Sequence, residues 1–157
     1  MGNTTNKYTT FDRILTKCNV GDLLEIKYPD STFNHWAVYI GTGYVIHVRH
    51  PWTKKEHLSV VAGNKLVRIN NDKHLVMNYP PLDPNEIVST AEDQIGIDWY
   101  NVQFYGCEMF AIRCRYGVKV NLADYYNNFD TEFDVSSKVT SLVNPVVMYG
   151  HQQHENY

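Results

Sequence analysis

His35-Trp36-Ala37-Val38-Tyr39-Ile40-Gly41-Thr42-Gly43-Tyr44-Val45-Ile46-His47 holds two strand-like runs joined by glycines, with a histidine near each outer end. From His35 to Ile40 the chain alternates around Trp36, Val38 and Ile40, the period of a strand. Tyr44 to Val48 is rich in β-branched and aromatic residues, and the glycines between the two runs read as a hairpin connection. Loop length decides which residues share a face. A two-residue loop, Thr42-Gly43, sets Val38 opposite His47 and sends His35 to the other face. A three-residue loop, Gly41 to Gly43, sets Ala37 opposite His47 and leaves His35 on the same face, one diagonal away. Glycine on both sides of Thr42 favours the longer loop, which needs a left-handed residue. On that register the two imidazoles come within reach of one another. A single histidine is more often packed or solvated than functional, but two on one face form a candidate pair.

Working outward, Leu23, Leu24, Ile26 and Tyr28 read as a strand after a Gly21-Asp22 turn. Leu58 to Val61, Leu66 to Ile69 and Leu75 to Met77 read as further strands, with Gly63-Asn64 and Asn70-Asn71-Asp72 as turns. Lys54-Lys55 reads as a solvated turn. The expectation is an α+β fold with an antiparallel sheet of about five or six strands packed against helices. Asp83-Pro84-Asn85-Glu86 is a helix start, with Asp83 as cap, Pro84 in the first turn and Glu86 able to reach back. Ile87, Val88, Ala91 and Ile95 form its apolar face, and Gly96 closes it. A second helix is predicted from about Cys107 to Tyr116, ended by Gly117, with Cys107, Phe110, Ala111 and Cys114 in one stripe. Beyond Asn121 the pattern weakens into a polar, aromatic extension, and His151 to Tyr157 reads as a tail.

Cys107 therefore falls where a Gly106 turn meets a helix N-terminus. Free backbone N–H groups and the positive end of the helix dipole favour thiolate there, below the ordinary cysteine pKa of about 8.5. A neighbouring imidazole can move protons to and from a leaving group, and a second histidine or an acid can orient it. Cys107 is thus a candidate nucleophile, against the plainer reading of a small buried hydrophobe. Cys18 and Cys114 keep the plainer reading. Cys114 lies two turns along, about 10 Å by helix rise, too far to act as a resolving thiol.

A length of 157 residues with 43% hydrophobic content suits one domain. A net charge of −3 without a basic run argues against nucleic acid as a partner. The odd count of 3 cysteines lacks the spacing of a disulfide framework and fits reduced thiols in the cytoplasm. The polar start is no signal peptide, and Asn6 fails the pattern for N-terminal acylation. The run from Val139 to Tyr149, broken by Asn144 and Pro145, is too short for a transmembrane anchor. No CxxC or HxxxH spacing occurs, so no metal is expected, and no cofactor either.

Gly21-Asp22-Leu23-Leu24-Glu25-Ile26, the His35–Gly41 block, Gly43-Tyr44-Val45-Ile46-His47, Cys107-Glu108-Met109-Phe110 and Arg115-Tyr116-Gly117 resemble the lecithin retinol acyltransferase-like family in order and spacing. The likeness runs from about residue 20 to residue 120, including the Asn71-Asp72-Lys73-His74 to Leu82 stretch. It implies a single domain over 1–157, with the core at about 20–120 and an extension at 121–157. It also implies a permuted papain-like fold related to NlpC-type peptidases. By the same likeness Cys107 is the nucleophile, His35 the general base and His47 the residue that orients His35. The implied chemistry is acyl transfer through a thioester, from a phospholipid or other acyl ester to water or an amine.

Two positions depart from the family pattern of Asn-Cys-Glu-His-Phe: Gly106 precedes the cysteine, and Met109 stands in place of the histidine. The hydrophobic C-terminal anchor common in the mammalian enzymes is not present within the sequence. With these departures the chain also resembles the picornaviral 2A proteins of the H-box/NC type. That likeness implies a domain with reduced or no catalysis, acting through host or viral protein contacts in a host cytoplasm. The enzyme reading implies a cytoplasmic protein, peripheral at membranes. Neither fixes an oligomeric state.

Overall fold

The computed structural model describes residues 7–31, 33–49, 51–72, 79–97 and 106–117. Five strands and four helices follow one another along them: α1 (Phe11–Leu15), β1 (Leu23–Ile26), β2 (His35–Gly41), β3 (Tyr44–Arg49), β4 (Trp52–His57), α2 (Leu58–Ala62), β5 (Val67–Ile69), α3 (Pro84–Asp93) and α4 (Gly106–Tyr116). The strands form one antiparallel sheet in the order β4-β3-β2-β1-β5. The fold is α+β, as expected. The anticipated strand at Leu75–Met77, the segment around it and the extension from Asn121 lie outside the described residues.

The hairpin closes in a way that combines the two loop readings. Gly41 pairs with Tyr44, so the turn itself is the two residues Thr42 and Gly43. A bulge between Tyr39 and Gly41 then shifts the register, so that Tyr39 pairs with Val45 and Val38 with Ile46. Continued along the ladder, this register sets Ala37 opposite His47, the pairing expected of a three-residue loop. Gly41, Thr42 and Gly43 all hold positive φ, at 102°, 53° and 87°. At Gly43 a side chain would also run into the His57 ring, so glycine is required there twice over.

Both faces of the sheet are covered. On one, Leu24, Ile26, Ala37, Tyr39, Val45, Val67 and Ile69 pack with Ile14 of α1 and Leu58, Val61 and Ala62 of α2. On the other, Leu23, Trp36, Val38, Ile46 and Val48 pack with Ile87 and Ala91 of α3 and Phe110, Ala111 and Cys114 of α4. The predicted stripe of α4 faces the sheet; of that of α3, Ile87 and Ala91 do, while Val88 is only partly buried outside that cluster and Ile95, beyond the end of α3, is exposed. Asp83 caps α3 by accepting from the Asn85 N–H at 2.9 Å. Cys114 is buried, in keeping with its role as a small hydrophobe.

Three assignments differ from the sequence reading. Leu58–Ala62 is a helix rather than a strand: His57 caps it by accepting from the Ser59 N–H, and Leu58, Val61 and Ala62 bury one helical face. Trp52–His57, read as a turn at Lys54-Lys55, is the edge strand β4, paired with β3 from Tyr44↔His57 to Arg49↔Trp52. Its outer edge is capped by the turn after α3, where Thr53 exchanges hydrogen bonds with Gly96 and Ile97. The short helix α1 was not anticipated. No helix among the described residues is long and apolar enough to cross a membrane.

Candidate active site

The histidine strands put their two rings in direct contact. His35 Nε2 lies 2.7 Å from His47 Nδ1, with the rings edge to face at a centroid separation of 5.0 Å. His47, 1% exposed, extends the chain on its far side, where Nε2 lies 2.8 Å from Glu56 Oε1. The Arg49 Nε–H donates to the same carboxylate oxygen at 3.0 Å. The hydrogen-bond partners assign the proton positions. A carboxylate only accepts, so Nε2 of His47 carries a hydrogen and its Nδ1 is the acceptor. His35 then donates from Nε2, which leaves its Nδ1 with a free lone pair. Tyr28 stacks on the His35 ring at 5.6 Å and 24° and closes its outer face.

Cys107 sits in the first turn of α4, at the lip where β2 begins. Its thiol donates to the Asn34 carbonyl at 3.9 Å, and the Trp36 backbone N–H faces the sulfur. The sulfur is thus bracketed by the backbone on either side of His35. Among the described residues, no hydrogen bond joins it to the His35 ring. The structure therefore brings His35 and His47 together as expected and sets Cys107 against the backbone that carries His35.

The electrostatics depart from the sequence expectation at Cys107. Burial pushes the thiol up to about 11, and the Glu108 carboxylate adds to this; the N–H groups of Trp36, Glu108 and Cys107 favour thiolate but are outweighed. The helix-start effect is present, then, but smaller than the cost of burying the charge. Burial likewise takes His35 down to about 3, reinforced by His47, Arg49 and Lys65. Burial lowers His47 too, although Glu56 pulls the other way. Burial raises the Glu56 carboxyl, but the His47 hydrogen bond and the Arg49 charge outweigh it and hold it low. The resting site is a neutral thiol beside neutral imidazoles, anchored to one carboxylate.

The start of β2 is braced from β1. Glu25 accepts from Asn34 Nδ2 at 2.8 Å, from Asn70 Nδ2 at 2.9 Å and from Arg68 Nε at 2.8 Å. Asn34 in turn accepts from the Tyr28 N–H at 3.1 Å. Glu56 carries no signal in the sequence, because Lys54-Lys55 reads as a solvated turn and Thr53-Lys54-Lys55-Glu56 has no apolar alternation; only pairing with β3 brings it to the face of His47.

The fold and these contacts define a class: α+β domains that bring a helix-start cysteine close to a strand pair carrying two linked histidines. Within that class the chain belongs to the lecithin retinol acyltransferase family, whose model matches residues 16–120. It is similar to human phospholipase A and acyltransferase 2, 38% identical over 119 aligned positions, covering 63% of this chain and 71% of that protein. Human phospholipase A and acyltransferase 3 is 36% identical, covering 62% and 70%. Human phospholipase A and acyltransferase 1 is 34% identical, covering 64% and 69%.

Proposed function

We propose that this protein cleaves and transfers acyl groups of phospholipid esters through a thioester on Cys107. The observation that carries the reading is the continuous chain from Glu56 through His47 to His35, ending where the Cys107 sulfur meets the flanking backbone. The names of the relatives supply the substrate class.

In this reading Nδ1 of His35 takes the thiol proton as the sulfur attacks the ester carbonyl. The C–S bond forms, the C–O bond breaks, and the alcohol leaves with the proton returned by His35. Water or an amine then attacks the thioester, gives its proton to His35, and releases the free acid or the amide together with the thiol.

Met109 and Gly106, the departures that favour a non-catalytic reading, are both buried within α4. Met109 is fully buried, so it contributes to packing. The test is intact-mass spectrometry after incubation with a phosphatidylcholine of defined acyl chain. An acyl adduct on the wild-type protein, absent in Cys107→Ala and lost or strongly slowed in His35→Ala, supports the reading. No adduct and no released fatty acid in the wild type overturns it.

A further inference from the structure

Glu56 differs from an ordinary surface carboxylate. Its pair with the half-exposed Arg49 alone would be worth little. Its contact with His47 is another matter, because that ring is buried and a buried N–H must find an acceptor. The backbone fixes the meeting: β4 pairs Glu56 with Val45 and Lys54 with His47, so Glu56 lies one diagonal from His47 on the same face.

We propose that Glu56 is a positioning residue: its carboxylate fixes the tautomer and orientation of His47, and through it presents Nδ1 of His35 as the free base nitrogen. The inference rests on the acyl-transfer reading for its purpose, but its geometry is independent of it. If the proton on His47 moved to Nδ1, two N–H groups would face each other across the 2.7 Å contact or His35 would have to turn its own proton to Nδ1. The first breaks the contact that aims the His35 ring, and the second removes the lone pair that accepts from the thiol. Arg49 holds the carboxylate in place. The charged groups that act on the two rings are Glu56, Arg49, Lys54 and Lys65, and Glu56 is the one anion among them.

The test uses nitrogen-15 imidazole spectra of the full chain together with its rate of acyl-enzyme formation. In the wild type both rings are expected to hold their proton on Nε2. Glu56→Gln keeps an acceptor oxygen without the charge: the tautomers should persist while the His47 midpoint falls, because the raising effect of the carboxylate is gone. Glu56→Ala should lose the single His47 tautomer and slow acyl transfer on the order of tenfold or more, with Gln recovering part of the rate. A wild-type His47 protonated on Nδ1, or a Gln variant with an unmoved His47 midpoint, overturns the proposal even if the Ala variant does not fold. Tautomers that follow Glu56 in a protein that forms no acyl-enzyme would uphold the positioning role and sink the acyl-transfer reading instead.

Discussion

At the scale of single residues, burial decides the character of the nucleophile. Burial holds the Cys107 thiol up at about 11 and takes His35 down to about 3, so both shifts favour the neutral pair. The raised thiol carries far less thiolate at neutral pH than an exposed cysteine does. Alkylation of Cys107 by iodoacetamide, followed by peptide mapping, should therefore be slow at neutral pH and climb through the alkaline range. A rate that levels off near neutrality would show a standing ion pair and contradict this account.

At the scale of elements, the β2–β3 turn is the most constrained backbone in the described residues. Gly43 combines φ 87° with a direct approach to the His57 ring, which itself caps α2. Gly43→Ala should destabilise the fold by roughly 1–3 kcal/mol, read as a lower urea midpoint. It should weaken α2 as well as the hairpin, because His57 would have to move. The same region marks how far the sequence could be read. The hairpin, β1, β5, α3 and α4 were legible because period and turn chemistry agree there. The histidine pair was legible through register alone. β4 and α2 were not, because local preference and burial conflict: Lys54, Lys55 and Glu56 look like a turn until β3 pairs with them, and the Val60-Val61 run looks extended until His57 caps a helix. Glu56 was lost with its strand. The burial that raises Cys107 depends on neighbours from β1 and β2, which no local pattern reports.

At the scale of the whole molecule, a sheet covered on both faces places its ionisable site inside the structure. The continuous burial of β1, all four residues of it, reflects that double cover rather than the one-sided alternation of an open antiparallel sheet. The two lowered histidines make stability depend on pH. Their folded pKa values lie below the unfolded ones, so the stability they contribute is present above the ordinary value of about 6.5 and is lost as pH falls. For His35 the loss continues toward about 3. Glu56, held low, runs in the same direction, whereas Asp22, raised by burial, opposes it. The melting temperature should fall between about pH 7 and pH 4, and His35→Gln should flatten that slope. A slope unchanged in the variant would place the acid sensitivity elsewhere.

The bulge between Tyr39 and Gly41 has a consequence for how such a protein can diverge. A two-residue turn and a one-residue offset together restore the register that aims His35 and His47 at each other. Losing or gaining one residue on either side leaves a hairpin that still closes, yet turns one imidazole to the opposite layer. A one-residue change in the length of this segment therefore breaks the His35–His47 contact while leaving the two strands able to pair.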